Sequence, residues 1–303
     1  MSSVSSVVEN AWAWIGLAIM LVSEAATLAR IEPFWSWNTP IAWTGFIVFA
    51  DAMVFRTRGD SWMRSSPREF VALTLASIPL WIVFEGYNLV IRNWYYVGLP
   101  EDFWLRQFGY GWSFATIWPA IFEGAELIAL WRGVAPLQRH PTYDSLKRRP
   151  VDATVTHVGS GFSRAGSVAM VAGALMLVSP FFVPPAVAQY LAAPVWLGFI
   201  LLLDPINARL GAESLTADLT RDGNRDRLVN LLLSGFLCGG LWEFWNYWSR
   251  AKWHYTVPIM ERYKIFEMPV PGYIGFAAFA LECFTMYVFV RRLFTPLGRR
   301  IAL

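Results

Sequence analysis

Apolar residues in this chain run in long blocks, and the polar residues gather between them. Eight blocks, at about 11–30, 40–56, 70–92, 112–132, 165–183, 190–208, 228–249 and 271–293, are close to the length of a bilayer-spanning helix. Such a helix takes about 20 mostly apolar residues, and it satisfies its own backbone hydrogen bonds where no water can. The pattern predicts an all-α polytopic membrane protein of about eight transmembrane helices. The blocks at 40–56 and 190–208 are short, and the eight together leave no room for a separate soluble domain.

The blocks repeat. Trp43-Thr-Gly-Phe-Ile-Val-Phe-Ala-Asp51 matches Trp196-Leu-Gly-Phe-Ile-Leu-Leu-Leu-Asp204 at Trp, Gly, Phe, Ile and Asp. Phe84-Glu85-Gly-Tyr-Asn88 parallels Trp242-Glu243-Phe-Trp-Asn246, and Arg92 and Arg250 each follow four residues later. A Trp-x-Tyr comes next in each copy, Trp94 to Tyr96 and Trp253 to Tyr255, then Pro100 and Pro258. Gly109-Tyr110 and Gly272-Tyr273 then lead into the helices of Glu123 and Glu282. Four helices per copy is an even number, so both copies enter the membrane from the same side. The expected architecture is two parallel four-helix repeats related by a pseudo-two-fold axis along the membrane normal. They are residues 1–132 and 165–303, joined by a proline-bearing, basic linker at 133–164. The first and fifth helices match each other poorly and are expected at the periphery.

Composition supports the membrane reading. Of the 303 residues 56% are apolar and 16% charged, with mean hydropathy +0.40, where a soluble domain carries about 25% charged residues. Of the 25 Lys and Arg, 18 fall in Arg56–Arg68, Arg132–Arg164, Arg209–Arg227 and Arg291–Arg300. The positive-inside rule then puts those segments and both termini in the cytoplasm, in a cell's inner (plasma) membrane. The net charge of +3 is accounted for by these loops and is no nucleic-acid signal. Cys238 and Cys283 lie within apolar blocks and read as small core residues rather than a disulfide framework. Met1-Ser-Ser-Val has no basic start or cleavage site of a secretory signal, so the first helix is expected to stay.

Carboxylates stand out against this background. Glu24, Asp51, Glu85, Glu123, Glu126, Asp204, Glu243 and Glu282 all fall inside predicted spans, and no lysine does. An ionisable group near the bilayer centre is costly and usually faces the bundle interior or a cavity. Burial without a nearby cation disfavours a charged carboxyl, so some of these groups are expected to be neutral acids able to donate a proton. Glu85, Asn88 and Arg92 sit at i, i+3 and i+7 on one helical stripe, and Glu243, Asn246 and Arg250 repeat it. On that stripe the Asn can hydrogen-bond a neighbouring Glu, and the Arg reaches the outer interface. A polar seam between helices is the plainer account of such groups. Six acids recurring in pairs point further, because amides or hydroxyls hold helices at lower cost.

The 17 Trp, 22 Phe and 11 Tyr form interfacial belts in part. Trp242, Trp245 and Trp248 beside Glu243, and Trp81 and Phe84 beside Glu85, are candidates to line a pocket for a flat or polyunsaturated lipid. Their faces can stabilise a cation, although core packing accounts for them equally well. His140, His157 and His254 lie outside the spans, which disfavours a His-rich diiron or bis-His haem site. With no lysine in a span a retinal Schiff base has no attachment point, and Asp-Asp-x-x-Asp, Walker and Gly-x-Ser-x-Gly motifs are missing.

The two Glu-to-Glu segments resemble the membrane-embedded lycopene cyclases, which are often tandem repeats with a Trp-acid pair, a Trp-x-aromatic, and a carboxylate on the next helix. Trp242-Glu243, Trp253-His-Tyr255 and Phe279-Ala-Leu-Glu282 follow that order, and Phe84-Glu85, Trp94-Tyr-Tyr96 and Phe122-Glu123 repeat it. The chain lacks that family's Pro-x-Glu-Glu and has four helices per repeat instead of three. The resemblance implies proton-initiated cyclisation of a polyene, with Glu123 and Glu282 as the catalytic carboxylates.

The expected function is therefore a membrane enzyme, a cyclase-like isomerase or lyase, acting on an isoprenoid or carotenoid-like lipid by acid catalysis. Expected catalytic residues are Glu243, Glu282, Asp204, Asn246, Glu85, Glu123, Asp51 and Asn88. Expected substrate contacts are Trp242, Trp245, Trp248, Trp81, Phe84, Trp253, Tyr255, Arg92 and Arg250. Opposite roles for two acids follow when their surroundings differ, and redox-neutral chemistry of this kind calls for no cofactor and no metal. The expected partners are the lipid substrate and the membrane; a homo-oligomer is left open. One alternative is a proton-coupled or small-molecule transporter built around midplane acids. Another is a Mg²⁺-dependent enzyme on a polyprenyl phosphate, with carboxylates on the metal and outer arginines on the phosphate.

Overall fold

The computed structural model describes residues 3–134, 164–220 and 223–294. The first half runs α1 (Ser3–Leu28), α2 (Phe34–Arg58), the short α3 (Trp62–Ser65), α4 (Pro67–Ile91), strand β1 (Trp94–Val97) and α5 (Phe103–Trp131). The second half runs α6 (Arg164–Val178), the short α7 (Pro185–Ala188), α8 (Ala192–Arg209), the short α9 (Leu215–Thr220), α10 (Asp226–Trp248), strands β2 (Lys252–Tyr255), β3 (Lys264–Ile265) and β4 (Met268–Pro269), and α11 (Gly272–Phe294). Most of the linker expected at 133–164 lies outside the described residues.

Among the described residues seven helices are long and apolar enough to cross a membrane: α1, α2, α4, α5, α6 with its 3₁₀ extension to Phe181, α10 and α11. The eighth expected span, 190–208, is α8, which falls outside those seven. It has 18 residues and carries Asp204, Pro205 and Arg209 in its last two turns, so polar groups reach into an already short helix. Two small ribbons, β1–β2 and β3–β4, were not expected from the pattern. Each strand has four residues or fewer, too few for alternation to register against the apolar blocks.

The core is built from α2, α5, α10 and α11. Trp43 meets Trp245 edge-on at 4.8 Å, and the Trp118 indole donates to the Cys283 carbonyl at 2.8 Å. Cys238 and Cys283 are free and buried, as expected. Helices α1 and α6 are peripheral, with Leu21 and Leu175 exposed by 62% and 66%. Each is clamped to its neighbour by glycine. A Cβ on Gly16 would lie 2.5 Å from the Phe49 nitrogen and 2.6 Å from the Gly45 oxygen. A Cβ on Gly173 would lie 2.6 Å from the Leu202 nitrogen and 2.6 Å from the Gly198 oxygen. Phe49 and Leu202, like Gly45 and Gly198, hold the same places in the sequence match. Without lipid-excluding pressure between helices, such close backbone approach is what dispersion forces need to hold a pair.

Two of the acids expected in the spans, Glu126 and Asp51, meet arginines. Arg58 in the last turn of α2 pairs with the buried Glu126 of α5, and Arg64 approaches Asp51 at 3.5 Å. Arg291 of α11 binds Glu69 at 2.7 Å. All three lie at the end of the bundle opposite β1–β2.

Candidate functional site

The two Trp-x-Tyr segments pair with each other. β1 and β2 run antiparallel, with Trp94 opposite Tyr255, Tyr95 opposite His254 and Tyr96 opposite Trp253. Side chains alternate faces along a strand, so Trp94, Tyr96, Trp253 and Tyr255 share one face. All four line a cavity of about 130 Å³ beneath the ribbon. Tyr95 and His254 take the other face, their rings 5.6 Å apart. The spans end in time to let this happen. Arg92 adopts the left-handed conformation (φ 52°) as the α4 cap, and Asn88 binds the following strand through the Asn93 and Trp94 N–H groups (2.8 and 3.2 Å) and the Trp94 carbonyl (2.8 Å). Asn246 does the same for β2, with the Trp253 N–H at 3.0 Å and its carbonyl at 2.9 Å. The expected bonds from these asparagines to a neighbouring Glu are therefore not made. Unpaired strand-end backbone is the closer and more demanding partner.

Each carboxylate beneath the ribbon faces the donors of its own strand. Glu85 accepts through Oε1 from the Tyr96 hydroxyl at 2.5 Å, the Trp81 indole at 2.8 Å and the Trp94 indole at 3.2 Å. Glu243 is fully buried with no hydrogen bond of good geometry on either oxygen, although the Tyr255 hydroxyl and Trp253 indole lie within its reach. The counterpart of Trp81 in α10 is Gly239, and the Phe276 ring fills the space its side chain would take, 2.3 Å from a built Cβ. Burial, and then the adjacent Glu85 charge, push the Tyr96 hydroxyl well above the usual phenol range. Burial, and then Glu243, do the same to Tyr255. Both phenols are therefore proton-bearing donors at ordinary pH.

Of the 26 residues around the cavity, 14 are aromatic. Trp81, Phe84, Trp242, Trp253 and Tyr255 line it. Trp245 is buried against Trp43 instead, and Trp248 is 41% exposed; neither lines the cavity. Arg250 leaves the stripe to pair with Glu32 at 3.2 Å, over the Trp35 ring. Tyr96, Trp94, Trp43, Trp196 and Arg106 line the cavity without having been marked as contacts. The recurrence of Trp-x-Tyr was the signal for the first two.

The remaining acids are placed elsewhere. Asp51 accepts from the Met63 N–H at 2.9 Å, in the first turn of α3. Asp204 accepts from the Leu215 and Thr216 N–H groups (2.7 and 3.0 Å) and the Ser214 hydroxyl (3.0 Å) at the start of α9. Both therefore anchor the short helix that follows their span, twelve residues on in each half (Met63, Thr216), and neither lines the cavity. Glu123 and Glu282 are buried deeper. Glu282 sits three residues beyond the cavity-lining Phe279 on α11, with no hydrogen bond to either oxygen. No group of three or more His, Cys, Asp or Glu suited to a metal occurs among the described residues.

These features define a multi-pass helical membrane protein with an aromatic cavity roofed by a short ribbon and flanked by two carboxylates. No known protein family, no curated protein and no solved structure matches the chain.

Proposed function

We propose that the chain is a membrane enzyme of two parallel four-helix repeats that acts on an isoprenoid-type lipid by acid catalysis, in the manner of the membrane-embedded lycopene cyclases it resembles. The observation that carries this reading is Tyr255, which both lines the aromatic cavity and lies within reach of the buried Glu243. In the proposed reaction Glu243 passes a proton to Tyr255 as the phenol gives its own to a substrate double bond. The carbocation so formed is held by the faces of Trp81 and Trp242. Glu85, reached through Tyr96, takes a proton back, so cyclisation or isomerisation leaves the substrate's oxidation level unchanged. The two acids take opposite roles because one has three donors and the other has none of good geometry.

The repeat reading is supported by the ribbon, where residue i of one copy pairs with j of the other and the reverse pair also forms, as an isologous two-fold contact requires. The matching glycine clamps and aspartate anchors support it too. The basic linker end faces the cytoplasm on this reading, with α8 as the eighth span. Expression in a host that makes linear isoprenoid and carotenoid precursors, followed by lipid extraction, tests the function. A new cyclised or isomerised product is expected with the wild-type gene and none with Glu243→Gln. An unchanged lipid profile with the wild-type gene overturns the proposal.

A further inference from the structure

The two halves differ most where α5 begins. Gly109 lies fourteen residues before Glu123, and Gly272 ten before Glu282, so the Gly-Tyr pairs matched in sequence stand one helical turn apart. α5 starts earlier still, at Phe103, and has 29 residues against 23 in α11. The second half has the β3–β4 hairpin, with Met268 on the cavity wall, in place of these extra turns. The extra turns carry Arg106.

Arg106 and Lys252 are the two charged residues among those lining the cavity, and both are cations. Lys252 is occupied, with its ammonium 3.3 Å from Glu267 and over the Tyr247 ring. Arg106 makes no ion pair or side-chain hydrogen bond among the described residues and is only part-exposed. Asp102, one turn before it, is engaged as the α5 cap, accepting from the Leu105 N–H at 2.7 Å. An apolar, aromatic cavity with one uncommitted guanidinium on its wall suits a ligand that is itself apolar and anionic. A neutral hydrocarbon would bring low-dielectric matter against a cation and offer it nothing.

We infer that the cavity takes an amphiphile with a single anionic head, carboxylate or phosphate, bound by Arg106, its unsaturated tail lying among the tryptophans. This rests on reading the cavity as the substrate site, and it names the substrate's class. The cavity of about 130 Å³ is close to the roughly 150 Å³ that accepts one benzene-sized group, so it takes the part of the tail nearest the head.

Binding to the full chain purified in detergent, read by quenching of tryptophan fluorescence, tests this. Geranyl phosphate, geranic acid and geraniol share one tail and differ in the head; inorganic phosphate has the head alone. At least one anionic probe should bind about tenfold more tightly than geraniol, the scale of a charge-assisted hydrogen bond, and the tighter of the two identifies the head. Arg106→Gln should remove that preference without changing geraniol binding, and Arg106→Lys should keep part of it. Equal binding of all three probes, a preference that survives Arg106→Gln, or one lost equally in Lys252→Gln overturns the inference. So does inorganic phosphate binding as tightly as geranyl phosphate. A chain that binds with this selectivity but makes no product in the host overturns the catalytic reading and leaves this one standing.

Discussion

Glu85 and Glu243 hold matching places in the sequence and lie under the same ribbon, each beside a Trp-x-Tyr, yet their surroundings differ. Where the first half has Trp81, the second has Gly239, and a phenylalanine from the neighbouring helix takes the vacated room. The first carboxylate is held by three donors, one of them Trp81, while the other is sealed in with none of good geometry. The lesson is that two sites matched in sequence need not share their contacts. Identical acids acquire different surroundings while the ribbon, the glycine clamps and the aspartate anchors continue to match.

The largest expected effect separates the two acids. Glu243→Gln should lower product formation by about 10²–10⁴-fold, the usual contribution of a positioned acid, whereas Glu85→Gln should cost less than about tenfold on the same scale. Product per unit of membrane protein in the expressing host measures both, and equal losses would erase the division of roles.

Next come the features the halves share. Gly16→Ala and Gly173→Ala each drive a Cβ to within 2.6 Å of backbone, and overpacking of this kind costs about 1–3 kcal/mol. Thermal unfolding in detergent should show similar losses for the two. A tolerated change at either position would mean that α1 and α6 are not clamped alike.

Smaller again are the aspartates. Removing a carboxylate that caps a helix costs about 0.5–2 kcal/mol. Asp204→Ala, which abandons three donors, and Asp51→Ala, which abandons the Met63 N–H and Arg64, should both fall in that range. Activity per folded molecule should stay unchanged in both. A selective loss of activity would return these residues to the reaction centre.

The smallest effect is spectroscopic. A phenol whose folded-state pKa is raised keeps its proton as pH passes the ordinary value of about 10. Tyr255→Phe and Tyr96→Phe should therefore remove no phenolate absorbance as the pH passes about 10. Loss of a titrating phenolate in either variant would show that the phenol faces water, not a carboxyl in a closed site.

Much of this organisation was legible in the chain itself. Long apolar blocks specify spanning helices because hydrocarbon leaves the backbone no other partner, and seven of the eight expected spans are helices able to cross. The recurrence of Trp43 to Asp51 in Trp196 to Asp204, of Glu85 to Asn88 in Glu243 to Asn246, and of Trp-x-Tyr marked positions that make corresponding contacts. Periodicity along one strand of sequence could not say what those residues touch. Asp51 and Asp204 look like membrane carboxylates until a short helix folds back and offers its N–H groups. Asn88 and Asn246 look like partners for Glu until a strand end needs them. The silent match of Gly16 with Gly173, the replacement of Trp81 by a void that Phe276 fills, and the arrival of Arg106 at an aromatic cavity all depend on chains far apart in sequence meeting in space. Local preference and solvent fix which segments cross the membrane; which donor reaches which acid is decided only when the helices pack.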